Sequence, residues 1–186
     1  MTTYYLVRHA HADWKTKENR PLSAQGRADS NHIAEILQKY PIGAIYSSPF
    51  TRAYETILPL STRICIPVTI EPSLRERNIG KSTIEDFFKA VEALWRDPLL
   101  SFPEGESNYV AQQRVLGFLK RIQNENIAEH IVLSTHGNLL ALILNYYDAS
   151  IDYKFWKSMT IPDIYELGYN QDGDISRRKL WNKNRK

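Results

Sequence analysis

The sequence has little cysteine and no long hydrophobic run. Cys65 is the single cysteine of the chain, which excludes an internal disulfide and a four-cysteine zinc site and fits a reducing compartment. No stretch approaches the ~18 consecutive apolar residues that a transmembrane helix requires. The first residues show no basic leader before an apolar run, so we expect no signal peptide. These absences predict a soluble, cytoplasmic protein without a membrane partner.

The composition is that of an ordinary globular protein. Hydrophobic residues make up 42% and charged residues 24% of the chain, which excludes wholesale disorder. Its 186 residues fall within the ~100–200 residues typical of one domain, and no repeat or linker interrupts them. We therefore expect residues 1–186 to form a single domain with a sizeable core.

Positive charge is concentrated at the C-terminal end. Of 24 basic side chains, six lie in residues 177–186, which contain no acid, and this leaves 18 basic against 21 acidic side chains elsewhere. Nucleic-acid-binding proteins usually spread basic residues over one face of the fold, so we expect no nucleic-acid partner. The basic end could bind an anionic partner such as RNA or a membrane surface. We favour the interpretation that it protects an exposed sheet edge from aggregation.

Short apolar strands alternate with amphipathic segments. Strands are predicted at residues 3–7, 43–47, 66–70 and 131–134. Helices are predicted at residues 23–39, 49–58 and 83–95, over about 18 residues after Ser107, and from residue 136 to 144. Two further β-rich stretches, residues 161–169 and 175–181, flank Asp172-Gly173, a favourable hairpin turn. The alternation predicts a three-layer α/β/α sandwich with a mainly parallel central sheet.

The long helix after Ser107 allows two more specific predictions. Serine is a good helix N-cap, and Glu106 and Ser107 are both expected to cap this helix. Four apolar residues at helical spacing are predicted to face the core, namely Val110, Val115, Leu119 and Ile122.

Two histidines and two arginines follow the predicted strands. Arg8 and His9 follow the first strand, Arg52 lies beyond the second, and His136 follows the strand at residues 131–134. Ligand sites in such sheets lie beyond the carboxyl ends of the strands, so these side chains should converge. Guanidinium groups bind phosphate oxygens bidentately, while one imidazole can attack phosphorus and another can stabilise the transferring oxygens. The pattern favours phosphoryl transfer.

The sequence Leu6-Val7-Arg8-His9-Ala10 resembles the Arg-His-Gly signature of the histidine phosphatase superfamily, the phosphoglycerate-mutase-like enzymes. Ala10 replaces the usual glycine. Further similar blocks follow in the order of that superfamily, at residues 21–26, 47–56, 74–80, 103–107 with Arg114, and 134–138. The resemblance covers residues 4 to about 145.

The resemblance implies a phosphohistidine mechanism without a metal or cofactor, in an α/β/α sandwich. His9 would be the nucleophile. Arg8, Arg52 and His136 would hold the phosphoryl group. Glu76 would protonate the leaving oxygen and then activate water. The substrate would be a small phosphorylated molecule, and sugar phosphates, phosphoglycerate, nucleotides and even phosphoproteins remain open, as does the oligomeric state.

Two alternatives are considered, one from the same superfamily and one from a different functional class. A phosphoglycerate mutase would use the same residues, but the compact connections at residues 9–21 and 80–107 leave little chain for the lid that a mutase needs. A non-catalytic phospholigand-binding module would keep Arg8 and Arg52 while losing His9 or Glu76. Both of those residues are present, which favours an enzyme, and hydrolysis is the expected reaction.

Three other phosphatase chemistries are disfavoured. His9-Ala10-His11-Ala12-Asp13 matches a zinc pattern of metallo-β-lactamase-like hydrolases, but such sites need further ligands, and Trp14 stands where another histidine usually follows. Cys65 has no arginine six residues later, as a cysteine-phosphatase loop would require. The acid pair of Asp172-Gly173-Asp174 lies in a predicted turn. We therefore expect no metal.

Overall fold

The computed structural model describes residues 2–13, 20–80, 87–169 and 174–182, and within them six strands form one sheet. The strands are β1 (Thr3–Arg8), β2 (Ala44–Ser47), β3 (Val68–Ile70), β4 (His130–Thr135), β5 (Asp163–Tyr169) and β6 (Ile175–Lys179). Their order is β3-β2-β4-β1-β5-β6. The first four in that order are mutually parallel, and β5 and β6 are antiparallel to their neighbours. The predicted, mainly parallel sheet is confirmed.

Helices cover both faces of the sheet. They are α1 (Ala24–Leu37), α2 (Thr51–Ile64), α3 (Phe87–Arg96), α4 (Asn108–Asn124), α5 (Gly137–Tyr147) and α6 (Tyr153–Ser158), with a short 3-10 turn at Pro72–Leu74. Helices α1 and α2 supply the core on one face, and α3 to α6 supply it on the other. The α/β/α sandwich is therefore present.

Strand β1 shows how the sequence sorts side chains between the two cores. Tyr4 and Leu6 point to the face covered by α3 to α6, while Tyr5 and Val7 point to the face covered by α1 and α2. All four side chains are buried, which explains why the strand reads as one apolar run rather than an alternating pattern. Burying a side chain of this kind contributes roughly 1.5–3 kcal/mol, so these cores dominate the stability of the fold.

Capping residues fix where two helices begin. The Ser23 side chain accepts a hydrogen bond from the backbone N–H of Gly26 at the start of α1. The Ser107 side chain accepts one from the N–H of Val110 at the start of α4. Both N-caps agree with the predictions, but Val110 is 51% exposed. The prediction that Val110 faces the core is wrong, because Asn108 and Ala111, 2% and 0% exposed, form the buried face of the first turn of α4 and Val110 lies on the opposite face.

Helix α2 continues six residues past its predicted end at Leu58. Proline inside a helix costs a backbone hydrogen bond, yet Pro59 lies within α2. Ile57 and Leu60 are both fully buried, so the apolar face of the helix continues across the proline. Packing against the sheet therefore outweighs the local cost. The predicted start of α3, at residues 83–86, lies outside the described residues.

The C-terminal strands form the antiparallel pair that the hairpin pattern predicts, although the turn at residues 170–173 lies outside the described part of the chain. Three basic side chains of β6 make ion pairs. Arg177 pairs with Asp148 at 3.5 Å, Arg178 with Glu166 at 2.6 Å and Lys179 with Asp163 at 2.8 Å. Much of the basic character is thus neutralised within the molecule, while residues 183–186 are not among those described.

None of the helices in the described ranges has both the length and the apolarity needed to span a membrane.

Candidate active site

The carboxyl ends of β1, β2 and β4 bring the site together. These strands are parallel and in register, so Val7 and Ser47 both lie beside Ser134. The chain leaves the sheet at the same level in each strand, and the N–H of His9 still donates to the Thr135 carbonyl at 3.0 Å. Residues that follow the three strands therefore meet at one edge of the sheet, as the sequence predicted.

Arg52 connects the two histidines at this edge. It lies in the first turn of α2, and its Nε donates to Nε2 of His9 at 3.2 Å. Its Nη2 donates to Nδ1 of His136 at 3.2 Å. The two imidazole rings are 5.2 Å apart between centroids. One guanidinium thus spans both imidazoles.

The tautomer of His9 follows from its hydrogen bonds. Its Nδ1 lies 2.8 Å from the carbonyl oxygen of Ala10, and a carbonyl can only accept, so Nδ1 carries the proton. The lone pair of Nε2 then faces Arg52. Burial lowers the pKa of the His9 imidazole to about 3; the Ala10 carbonyl opposes this shift, and the charges of Arg52 and Arg8 add to it. The ring is neutral at neutral pH.

His136 is the N-cap residue of α5 and is 1% exposed. Its Nδ1 accepts from Arg52, which leaves the proton on Nε2, 2.8 Å from the hydroxyl oxygen of Ser48. Burial, followed by the neighbouring His9 and Arg52, holds the pKa of His136 well below its usual value. Because a serine hydroxyl can both accept and donate, Ser48 can bind Nε2 of His136 whether or not that nitrogen carries a proton.

Arg8, the last residue of β1, is packed against the start of α5. Its Nη1 donates to the carbonyl of Met159 at 3.2 Å, and its buried Nε has no hydrogen-bond partner among the described residues. A Cβ at Gly137 would lie 2.8 Å from the guanidinium carbon of Arg8, so any other residue there would displace Arg8. Burial lowers the pKa of Arg8, and the carboxylates of Glu76 and Asp163 oppose that shift.

Glu76 reaches the site from the loop after the 3-10 turn. Its Oε2 accepts from the N–H of Asn138 at 3.0 Å, and its Oε1 accepts from the N–H groups of Leu139 at 3.0 Å and Arg77 at 2.9 Å. Glu76 therefore satisfies N–H groups in the first turn of α5, next to His136, where carboxylates are favoured by the helix dipole. The five predicted site residues, Arg8, His9, Arg52, Glu76 and His136, all lie around this edge.

An ion pair holds the loop that carries Glu76. Arg114 donates two hydrogen bonds to Glu106, at 2.9 and 3.0 Å, and a third to the Ser73 carbonyl at 2.6 Å. Glu106 also accepts from Arg75 at 2.8 Å. Burial would raise the pKa of Glu106, but Arg114 and the N–H of Asn78 outweigh it and lower the pKa. The prediction that Glu106 caps α4 is wrong, because its carboxylate points to this loop.

Several residues that contact the site were not predicted from the sequence. Ser48 binds His136, and Thr56 accepts from the N–H of Ala10 at 2.9 Å while donating to the Arg52 carbonyl at 2.6 Å. Both lie in the block at residues 47–56, so their place in the motif was a usable signal. Met159 acts through its backbone carbonyl, which leaves no trace in the sequence.

Arg77 is a further unpredicted residue beside Glu76. It is 6% exposed, and its Nε and Nη1 atoms have no hydrogen-bond partner in the described part of the chain. Burial lowers its pKa, while the carboxylates of Glu76 and Glu106 oppose the shift. Buried guanidinium groups are normally paired. Within the described residues, Arg77 departs from this pattern.

The zinc pattern does not form a metal site in the described residues. Nδ1 of His11 lies 2.9 Å from the hydroxyl oxygen of Ser23, and His9 is directed at Arg52. Within the described ranges, no group of three or more histidine, cysteine, aspartate or glutamate side chains could hold a metal ion.

Comparison with known proteins identifies the class. The histidine phosphatase superfamily (branch 1) matches residues 4–182, and the chain belongs to that superfamily. Similar proteins include phosphoserine phosphatase 1 of Hydrogenobacter thermophilus, 27% identical over 153 residues that cover 73% of this chain and 71% of that protein. The 2,3-bisphosphoglycerate-dependent phosphoglycerate mutase 2 of Gloeobacter violaceus is 27% identical over 164 residues, covering 77% of this chain and 74% of that protein. These relatives support an enzyme of this superfamily.

Solved structures share the fold. A mycobacterial glucosyl-3-phosphoglycerate phosphatase in complex with VO3 superimposes with a TM-score of 0.77 at 23% identity, covering 98% of this chain and 99% of that chain. A phosphoserine phosphatase variant from Entamoeba histolytica, in complex with phosphoserine, gives a TM-score of 0.75 at 17% identity, with 97% of each chain covered. At such identities the likeness shows the α/β/α fold.

Proposed function

We propose that this protein is a metal-independent phosphomonoester hydrolase that works through a phosphohistidine on His9. The observation that carries the proposal is the orientation of the His9 ring. Its Nδ1 is bound to the Ala10 carbonyl, and its Nε2 lone pair faces the Arg52 guanidinium. A neutral imidazole held in one tautomer beside fixed positive charge is suited to attack a phosphoryl group.

The phosphoryl group would be held by Arg8, Arg52 and His136. Arg52 now donates to two neutral imidazole nitrogens, and hydrogen bonds to an ionised acceptor are roughly twice as strong as those between neutral groups. A phosphoryl dianion would therefore draw both N–H groups of Arg52 and free Nε2 of His9. Its charge also favours protonation of Nδ1 of His136, while Ser48 continues to accept from Nε2.

In the first step, Nε2 of His9 forms a bond to phosphorus as the bond to the leaving oxygen breaks. Glu76, in its protonated form, gives its proton to that oxygen and becomes a carboxylate. In the second step, Glu76 takes a proton from water, and the resulting oxygen attacks phosphorus. The P–N bond breaks, which regenerates neutral His9 and releases inorganic phosphate.

The experiment is to trap the intermediate. The protein is incubated with a good phosphomonoester, quenched without acid, and digested for mass spectrometry. Phosphate is expected on His9, and His9→Ala should lower turnover by several orders of magnitude. His11→Ala is the matched control, since His11 is exposed and bound to Ser23. Near-normal turnover in His9→Ala would refute the mechanism.

We further propose that the substrate is a phosphorylated carboxylic acid. Arg77 provides a buried guanidinium beside Glu76, and two of its nitrogen atoms have no hydrogen-bond partner among the described residues; a guanidinium can bind a carboxylate with two parallel hydrogen bonds. Phosphoserine and phosphoglycerate, named in the relatives, both carry a carboxylate. This supports a substrate with a second anionic group.

Substrate comparison tests this class. Arg77→Gln should raise KM for phosphoserine or 3-phosphoglycerate by about tenfold or more, because the carboxylate loses its partner. The same variant should leave KM for p-nitrophenyl phosphate, which has no carboxylate, within about twofold. An equal rise in KM for both kinds of substrate would contradict a carboxylate-binding role.

A further inference from the structure

A fully buried carboxylate lies behind Arg8 and takes no part in the chemistry above. Asp163 begins β5, and its Cα pairs with that of Arg8 across the antiparallel strands. Its side chain is 0% exposed. It accepts hydrogen bonds from Ile164 N, Thr160 N and the Tyr165 hydroxyl, each at 3.1 Å, and from Lys179 Nζ at 2.8 Å.

One peptide group joins Asp163 to Arg8. The peptide bond between Met159 and Thr160 donates its N–H to Oδ2 of Asp163 and accepts Nη1 of Arg8 on its carbonyl oxygen. Both hydrogen bonds have ordinary lengths, 3.1 and 3.2 Å. The position of the Asp163 carboxylate therefore sets the position of the carbonyl that holds Arg8.

The charge of Asp163 also attracts the Arg8 guanidinium directly. A buried carboxylate needs a nearby cation to neutralise it. The cation that pairs with it is Lys179, whose ammonium group contacts Oδ2. Lys179 reaches the carboxylate from β6, the edge strand that contains the basic C-terminal residues. With Lys179 in place, Arg8 binds the Met159 carbonyl, and its Nε has no partner in the described part of the chain.

We propose that Lys179 is a positioning residue for phosphoryl binding: it neutralises Asp163, so that Arg8 is directed to the phosphoryl group rather than to that carboxylate. The inference rests on the proposed function in so far as Arg8 binds phosphate. It assigns a role to the basic C-terminal strand beyond protecting a sheet edge.

The neighbouring cation on the same strand provides a matched control. Arg178 is also basic and also paired, but its partner Glu166 is accessible to solvent, and the two side chains are 62% and 22% exposed. Exposed ion pairs contribute little, and the hydrogen bonds of Arg178 among the described residues go to Glu166 and Tyr40 rather than towards Arg8. Removing Arg178 changes the charge of β6 as much as removing Lys179 does.

The experiment measures binding of inorganic phosphate and of orthovanadate to the full-length protein by calorimetry. Lys179→Met should weaken both affinities by about tenfold, because Asp163 then draws Arg8 away. It should also raise KM for p-nitrophenyl phosphate more than it lowers kcat. Arg178→Met should stay within about twofold of wild type, and Lys179→Arg should restore binding. Thermal melts establish that each variant is folded, and Lys179→Gln replaces Lys179→Met if the latter melts below the assay temperature.

A double variant separates positioning from a structural role. In Lys179→Met/Asp163→Asn the unpaired charge is absent, so phosphate affinity should return to within about threefold of wild type. The proposal is overturned if Lys179→Met binds phosphate normally, or if the double variant binds no better than Lys179→Met. Because the calorimetric affinities for phosphate and orthovanadate need no turnover, they remain valid even if His9 proves not to be the nucleophile.

Discussion

The Nε atom of Arg52 lies 3.2 Å from Nε2 of His9, the nitrogen that we propose to attack phosphorus. The same guanidinium donates a second N–H to His136 at 3.2 Å. A single side chain therefore keeps both imidazoles oriented and presents the two N–H groups that a phosphoryl group would take. Lysine has the charge but not the planar, forked geometry that this arrangement uses.

Replacing Arg52 by lysine should lower kcat/KM for p-nitrophenyl phosphate by at least about 100-fold, the loss typical of removing a donor that stabilises transition-state charge. Arg63→Lys is the matched control, since Arg63 lies in the last turn of the same helix. It should leave kcat/KM unchanged. If Arg52→Lys retained most of the activity, charge alone would suffice and the bridging geometry would be irrelevant.

The convergence of Arg8, His9 and His136 was predictable because parallel strands end at one edge of a sheet. The position of a residue directly after a strand is fixed by the register of that strand. Glu76 could be predicted only through the superfamily motif, because it comes from a loop. That loop is placed by the Glu106–Arg114 pair, a contact between residues far from it in sequence.

Other features escaped prediction for equally physical reasons. Pro59 favours an earlier end of α2, but the burial of Ile57 and Leu60 stabilises the helix on both sides of the proline. Arg77 was not predicted from the sequence, because its burial depends on tertiary packing. Lys179 appeared as one more edge charge, and its partner Asp163 is revealed only by the pairing of β5 with β6.

Gly137→Ala should damage phosphate binding through Arg8. The added Cβ would lie 2.8 Å from the guanidinium carbon, so Arg8 must move, and displacement of a positioning group by about 1 Å can cost on the order of 100-fold in rate. Phosphate affinity and kcat/KM are the measurements. In the control Gly117→Ala, the new Cβ has no described atom within 4 Å apart from its chain neighbours and the adjacent backbone of α4. That variant should be stabilised by about 0.5–1 kcal/mol with activity intact, and equal losses in both variants would rule out the contact with Arg8.

The pKa of His9 predicts how stability depends on pH. Its folded value, about 3, lies below the value of about 6.5 expected in the unfolded chain. The unfolded state therefore binds more protons between these values, and stability falls as the pH is lowered from about 6.5 towards 3. Thermal melts at pH 7 and pH 4.5 should show a smaller loss for His9→Asn than for wild type. His11→Asn, at an exposed position, is the control, and identical pH slopes in all three proteins would contradict the prediction.

Glu76→Gln should separate two roles of this carboxylate. A glutamine oxygen can still accept backbone N–H groups of α5, so we expect a stability loss of only about 1 kcal/mol. A general acid matters most when the leaving oxygen is a poor leaving group. Single-turnover experiments should therefore show a much larger loss for an alkyl phosphate than for phosphorylation of His9 by p-nitrophenyl phosphate. Equal losses would assign Glu76 to positioning of α5 and His136.

The choice between phosphatase and mutase depends on what happens to the phosphohistidine. A mutase must exclude water and retain the dephosphorylated product until it reorients, which requires additional segments over the site. The short connections at residues 9–21 and 80–107 leave little chain for such a lid, and in the proposed mechanism Glu76 activates water. We therefore expect hydrolysis to dominate when 3-phosphoglycerate is supplied with catalytic 2,3-bisphosphoglycerate and both products are measured. Faster formation of 2-phosphoglycerate than of free phosphate would establish the mutase instead. The two reactions would use the same site residues, so the product ratio reports whether water reaches the phosphohistidine.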